Sequence, residues 1–422
     1  LGIEKISIVV INLYKFKENA IQGSLTREKA IEHIDIGGPC MLRASAKNWQ
    51  HVLSISDPSD YRWIVEKLRQ KTITKEDRLN LAGKAFTLTS KYDEMISIYM
   101  TDSPTKNIEL LKESNLRYGE NPHQNANLYS FSNQRYGFSD IKVLQGKELS
   151  YNNLVDLDAA SGLLREFHAE TAVTIVKHTN PCGTAIAQNG DSLKTVWEKA
   201  LSGDPKSAFG GIVAINKEID KEAAEALAAI FLECIIAPGY SPGALEVFSK
   251  KKNLRLILAP WVTLPPEKED FFRSIQGGLL IQDRDSEVCK TENWQCPTNL
   301  KPSDSQEKDL LFAFKVASHV KSNTIVYAKD GMTITVGAGQ MSRIDAAEFA
   351  AQKAKAEDKS LERAVLASDA FFPFRDCVDL AAKLGISAIV QPGGSIRDKE
   401  SIEACDSHGL TMVFTGERHF RH

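Results

Sequence analysis

From residue 156 onward the chain alternates helical segments with short, wholly apolar runs, and this alternation confines it to a mixed α/β sheet with helices packed on the strands. Helices are predicted over 156–167, 221–232, 310–320, 345–356, 376–384 and 398–408. Strands are predicted over 173–176, 211–215, 235–237, 324–328, 332–336, 365–367, 386–390 and 410–414. Asp330-Gly331, between two of these strands, is a two-residue hairpin signal that breaks an otherwise parallel rhythm. The runs 172–178 and 364–370 end alike, each entering a Pro-containing turn, which is the trace of a duplicated subdomain or a coincidence of two short matches.

A second α/β stretch precedes this one. The β-branched run 6–11 predicts a strand, followed by a helix over 26–33, a turn at Asp35-Ile36-Gly37-Gly38-Pro39 and a helical start at Met41. A strand over 52–55 then meets Asp57-Pro58-Ser59-Asp60, a turn and N-cap for a helix over 61–67. Residues 102–115 are polar and interrupted by Pro104, so they read as a linker between a domain over 1–101 and one over 116–422. The chain is already in a strand pattern by Ile6, as though it starts inside a domain.

With 422 residues, 42% hydrophobic and 25% charged, the chain has room for two or three ordinary globular domains. A formal net charge of -3 supplies no overall attraction to nucleic acid or an anionic membrane, so a small anionic ligand in a local basic pocket fits better than a polymer. The seven cysteines, Cys40, Cys182, Cys234, Cys289, Cys296, Cys377 and Cys405, include no Cys-x-x-Cys pair and read as reduced thiols. No apolar run approaches the roughly 20 residues of a membrane span, and no signal peptide pattern opens the chain, so a cytoplasmic location is expected.

The chemistry concentrates at Val176-Lys177-His178-Thr179-Asn180-Pro181-Cys182-Gly183, where an apolar run delivers two ionisable side chains into a Pro/Gly turn. Ligands of open α/β sheets sit at such strand ends. Burial and a neighbouring cation would favour neutral imidazole, making His178 a general base, while the Lys177 ammonium could stabilise an oxyanion. The alternative is a solvated lysine beside a histidine that merely bonds the turn.

Other loops carry similar two-sided signals. Arg117-Tyr118-Gly119-Glu120-Asn121-Pro122-His123-Gln124 offers an Arg suited to phosphate and a Tyr suited to stacking, or is a solvated entry loop. Gly337-Ala338-Gly339-Gln340-Met341-Ser342-Arg343 could meet an anion at a helix start, but lacks the third Gly of a dinucleotide fingerprint. Asp369-Ala370-Phe371-Phe372-Pro373-Phe374-Arg375-Asp376 brings three Phe residues to a strand-to-helix turn, where Phe371 is the best candidate to wall a planar ligand and core packing is the usual fate. The basic, aromatic tail 415–422 either frays or docks through Arg418 or His422.

Taken together, Arg-Tyr-Gly-x-Asn-Pro-His-Gln, Val-Lys-His-Thr-Asn-Pro-Cys-Gly, Lys-Ser-Asn-Thr at 321–324, Gly-Ala-Gly-Gln-x-Ser-Arg, Ser-Asp-Ala-Phe-Phe-Pro-Phe-Arg-Asp and the terminal Arg-His-Phe-Arg-His resemble the bifunctional purine biosynthesis family that combines AICAR transformylase with IMP cyclohydrolase. Val-Ile-Asn-Leu-Tyr at 10–14, Ile-Asp-Ile-Gly-Gly at 34–38 and Ala-Lys-Asn at 46–48 extend the resemblance to the latter part of its cyclohydrolase domain. The resemblance implies a truncated methylglyoxal-synthase-like α/β domain followed by two deaminase-like α/β subdomains. It also implies a homodimer with sites between subunits, and formyl transfer from 10-formyltetrahydrofolate to the 5-amino group of AICAR.

By the same resemblance His178 is the base or proton shuttle, Lys177 tunes it and steadies the oxyanion, and Asn323 hydrogen-bonds at the reacting centre. Arg117, Tyr118 and Arg418 map onto nucleotide-binding positions, Arg343 and Phe371 lie around the base and carboxamide, and Gly210, Glu233 and His422 contribute. Tyr14, Asp35 and Lys47 match cyclohydrolase positions. With the domain's opening strands and phosphate loops missing, closure of formyl-AICAR to IMP is expected to be impaired. No metal is expected, a monovalent cation is compatible, and the partners are AICAR and folate rather than nucleic acid or membrane. A zinc nucleoside deaminase shares the Pro181-Cys182 fragment, but Cys182 is followed by Gly-Thr-Ala and the second metal-binding Cys is lacking. A nucleotide or folate sensor without turnover would be expected to lose Lys177, His178 or Asn323 first, and all three are present.

Overall fold

Alternation of β-branched runs with helices yields mixed α/β structure in the computed structural model, which describes residues 4–101, 106–132, 136–286 and 291–422. The chain divides into units 1–108 and 109–422. Cys289 lies outside the described residues; the six described cysteines are free thiols.

In the first unit two short parallel strands, β1 (Ile8–Val10) and β2 (Leu53–Ile55), form a two-stranded sheet. The helix Gly37–Lys47 starts four residues before the expected Met41, because the Asp35 carboxylate accepts the Gly38 N–H at 2.7 Å and turns the Gly-Gly-Pro segment into a first helical turn. A side chain at Gly38 would lie 2.5 Å from that carboxylate. The helix Tyr61–Gln70 follows, and then the 27-residue helix Lys75–Thr101, which the sequence pattern did not reveal. Its buried stripe, Leu81, Ala85, Thr89 and Tyr92, has helical spacing but is too small and polar to stand out as an apolar face.

The second unit begins with a strand, β3 (Leu110–Leu116), inside the stretch read as linker, paired with β4 (Ala126–Phe131). Most β3 side chains are exposed, so polar composition concealed the strand. The remaining strands are β5 (Lys142–Gln145), β6 (Ala172–Lys177), β7 (Asn180–Ile186), β8 (Ile212–Ile215), β9 (Cys234–Ala237), β10 (Arg255–Leu258), β11 (Asp270–Ile275), β12 (Gly278–Asp283), β13 (Ile325–Lys329), β14 (Met332–Gly337), β15 (Val365–Ser368), β16 (Ala388–Gln391) and β17 (Thr411–Phe414). Eleven form one sheet in the order β17-β16-β15-β13-β14-β7-β6-β8-β9-β10-β5, and β11 and β12 make a separate hairpin.

That order is two copies of one unit set back to back. Each copy runs helix, antiparallel hairpin, helix, strand, helix, strand, helix, strand. Tyr151–Arg165 leads into β6 and β7 in the first copy, and Asp304–Ala317 leads into β13 and β14 in the second. The strand after each hairpin pairs antiparallel with the hairpin's first strand, and the last strands are parallel. The copies meet where β7 and β14 pair antiparallel, Ala185 opposite Met332. The duplication is therefore present, but the similar runs at 172–178 and 364–370 do not correspond: β6 corresponds to β13, and β15 to β8.

Both faces of the central strands are buried, which explains their unbroken apolar runs. One face packs on the lead helices through Leu157, Leu164, Leu310 and Phe314, and the other on the remaining helices through residues such as Trp197 and Phe248 or Val378 and Ala404. Gly183 sits where a Cβ would come within 1.9 Å of the Ala200 carbonyl oxygen, so the helix Leu193–Ser202 approaches β7 closely only because that residue is glycine.

Candidate active site

Pro181 and Gly183 do not form the turn expected after Lys177. They belong to β7, where the register of the β6–β7 pair shifts between Ile175 and Val176 and the strand absorbs a proline near its start. The turn is the two residues His178 and Thr179, with φ of 52° and 64°. Two-residue hairpins favour left-handed backbone at both positions, normally supplied by Asn-Gly or Gly-Gly. Here a histidine and a β-branched threonine take it.

The strained turn is held by an acid that sequence reading passed over. The half-buried Asp156, on the helix Tyr151–Arg165, accepts the Thr179 N–H at 2.7 Å and the His178 N–H at 3.2 Å. Thr179 Oγ1 and Asn180 Nδ2 donate to the His178 carbonyl. The His178 side chain is exposed, so the desolvation supposed from the sequence is absent. Lys177 Nζ donates to the Phe209 carbonyl at 2.8 Å, beside Gly210. The Phe209 and Phe231 rings meet nearby at a tilt of 51°, centroids 5.4 Å apart and both exposed.

From this turn the structure leads directly to Asn323. Asn180 Oδ1 accepts the Lys321 N–H at 3.0 Å, anchoring the loop that enters β13. Asn323 Nδ2 donates to the carbonyls of Gln340 and Met341, and its Oδ1 accepts from Arg343 Nη2 at 2.8 Å. Arg343 is buried and also donates to Asp369 at 2.9 Å and to the Phe371 carbonyl at 3.1 Å. Asp369, wholly buried, further accepts Ser322 Oγ–H and the Thr324 N–H. Its counterpart in the first copy is Asn216, whose Oδ1 accepts the Ala172 N–H at the start of β6, so the second copy carries a carboxylate where the first has an amide.

The tail docks rather than frays. His419 is buried, its N–H donating to the Asp369 carbonyl and its ring bonding Asp285 at 2.7 Å. Ser322 N–H donates to the Arg421 carbonyl, and Arg421 N–H to Ser322 Oγ. The anchors are thus His419 and Arg421 rather than the expected Arg418 and His422. Both of those are exposed, Arg418 lying over the Phe420 ring and His422 beside it.

Other expected residues stand further apart. Arg117 donates to the Tyr118 hydroxyl at 2.8 Å and lies over its ring. Their loop is tied to the start of the helix Tyr151–Arg165 by Asn152. Glu233 is engaged by Arg255 at 2.7 Å. In the first unit Asp35 accepts the N–H groups of Tyr14 and Gly38 and its own N–H donates to Tyr92, so the carboxylate is a backbone clamp. Lys47 is exposed in the last turn of the helix Gly37–Lys47, about 15 Å along its axis from Gly37. Cys182 is buried, which pushes its thiol up to about 12. Among the described residues no cluster of three His, Cys, Asp or Glu side chains could hold a metal, and no helix is long and apolar enough to cross a membrane.

Fold and site together define an α/β protein with a strained His-bearing turn hydrogen-bonded toward a buried Asn-Arg-Asp cluster. Residues 45–353 match the family described as AICARFT/IMPCHase bienzyme. Whole-chain relatives are named bifunctional purine biosynthesis protein PurH: that of Aquifex aeolicus is 46% identical with 100% of this chain and 83% of its own length covered. Those of Persephonella marina and a Thermoanaerobacter species are each 48% identical with 100% and 82% covered. A solved structure, the crystal structure of ForH, is 36% identical over 25% of this chain and 55% of its own, with a TM-score of 0.21. The chain belongs to the AICARFT/IMPCHase bienzyme family.

Proposed function

We propose that this chain transfers the formyl group of 10-formyltetrahydrofolate to the 5-amino group of AICAR at the Lys177–His178 turn. The observation that carries this reading is the left-handed His178–Thr179 turn, a costly conformation that places an imidazole in the open beside the Asn323 loop. The amine of AICAR is a weak nucleophile because its lone pair delocalises into the ring and carboxamide. Its nitrogen bonds the formyl carbon while His178 removes the proton, and the Lys177 ammonium steadies the oxyanion. Collapse breaks the bond to N10, which takes the proton as tetrahydrofolate leaves. Asn323 hydrogen-bonds at the reacting centre, with Arg343 and Phe371 about the base and carboxamide. Arg117, Tyr118 and Arg418 hold the nucleotide, with Gly210, Glu233 and His422 at the periphery, and a monovalent cation is compatible with the site.

The duplicated αββαβαβαβ unit supports a pair of deaminase-like subdomains in a transformylase domain over 116–422, and the α/β first unit supports a methylglyoxal-synthase-like cyclohydrolase domain. Exposed apolar side chains on the β11–β12 hairpin, Phe271, Ile275, Leu279, Leu280 and Ile281, support a homodimer, and the site residues would lie between subunits. The protein acts in the cytoplasm. Tyr14, Asp35 and Lys47 belong to a cyclohydrolase site that closes formyl-AICAR to IMP. Release of tetrahydrofolate on addition of AICAR tests the formyl transfer. His178→Ala is expected to lower kcat at least about 100-fold with AICAR affinity within about tenfold. A variant that keeps more than about a tenth of wild-type turnover refutes the role of His178.

A further inference from the structure

We infer that Asp156 is a positioning residue for formyl transfer, holding His178 in its left-handed turn from the helix beneath it; this rests on the role proposed for His178. The internal duplication supplies the argument. Asp156 is the sixth residue of the helix that begins at Tyr151, and Asp309 the sixth of the helix that begins at Asp304. Asp309 accepts the N–H groups of Asp330 and Gly331 at 3.0 and 2.9 Å, and Asp156 those of His178 and Thr179. Both turns are left-handed at both residues: 53° and 67° in the second copy, 52° and 64° in the first.

The copies differ in what the turn is made of. Asp330-Gly331 adopts this backbone by composition, since Gly takes positive φ freely and Asp tolerates it. His178-Thr179 has no such freedom, and a β-branched residue there is a genuine outlier. The same cap is therefore an accessory in one copy and the restraint that fixes the imidazole in the other. A displacement of about 1 Å at a reacting group is enough to cost on the order of 100-fold in rate.

The test uses the full chain and tetrahydrofolate release. Asp156→Ala is expected to lower kcat at least about tenfold while KM for AICAR stays within about threefold, because the binding side chains are untouched. Adding Thr179→Gly to that variant is expected to recover most of the loss, since glycine adopts the left-handed turn unaided. Asp309→Ala, which removes the equivalent cap from a turn without a reacting group, is expected to keep kcat within about twofold. Should Asp156→Ala not fold, Asp156→Asn, which retains an acceptor oxygen, is combined with Thr179→Gly and judged by the same recovery. Wild-type kcat in Asp156→Ala, an equal loss in Asp309→Ala, or no recovery with Thr179→Gly overturns the inference. An inactive wild-type chain or a fully active His178→Ala would instead sink the proposed function.

Discussion

Replacing Arg343 by Met removes the centre of the buried cluster that sets Asn323. The guanidinium is 8% exposed and its partner Asp369 0%, so the variant leaves a carboxylate with no water to solvate it. Breaking one side of a buried pair costs about 3–5 kcal/mol, because the orphaned charge keeps its desolvation penalty. Two features move the expectation to the lower end. Arg343 Nε is buried without a partner, a penalty of about 1–3 kcal/mol that the substitution relieves, and Asp369 retains the Ser322 and Thr324 donors. A loss near 3 kcal/mol is thus expected in urea unfolding of the second unit, followed by its tryptophans Trp197, Trp261 and Trp294. Turnover should fall as well, since Asn323 Oδ1 loses its donor and the amide is then oriented only by the two Nδ2 bonds to carbonyls. Arg343→Lys, which keeps the charge but not the fork, should fall between. A stability cost below about 1 kcal/mol for Arg343→Met would refute the reasoning, because a desolvated, unpaired Asp369 cannot be that inexpensive.

Two further outcomes are expected. A chain ending at Arg418 loses the His419 and Arg421 bonds that brace Asp369 and Ser322, so turnover should drop about tenfold or more, and unchanged kinetics would show that the tail does not brace the site. In the first unit the Asp77 carboxyl is held down to about 2 by hydrogen bonding from the Lys67 ammonium and the Thr74 N–H. Its contribution to stability is complete above the ordinary aspartate value near 3.8 and is lost as pH falls toward 2, so Lys67→Met should flatten that part of the unfolding-midpoint profile. An acid limb equally steep in Lys67→Met would refute this.

Much of the architecture was legible because the central strands are buried on both faces and their apolar runs are unbroken: β6, β8, β13 and β15 all lie on predicted strands. The exposed hairpins β3–β4 and β11–β12 carry no such pattern, and the helix Lys75–Thr101 buries a stripe of Ala, Thr and Tyr that period alone does not single out. Lys177, His178, Arg343 and Phe371 could be named from local signals, ionisable and aromatic residues near strand ends, whereas Asn323 was named only through the family resemblance. Asp156 and Asp369 could not be named. An aspartate inside a helix and another after an apolar strand are ordinary in one dimension. They acquire meaning only when the helix crosses beneath the β6–β7 turn and when β15 pairs with β13, bringing carboxylates to backbone N–H groups 23 and 45 residues away. The correspondence between the two copies, though not the idea of a duplication, was hidden for the same reason. Composition determined which segments were strands, whereas the antiparallel pairing of β7 with β14, a matter of edge hydrogen bonds between distant segments, decided that two repeats share one sheet and that the His178 turn is linked to the Asn323 loop.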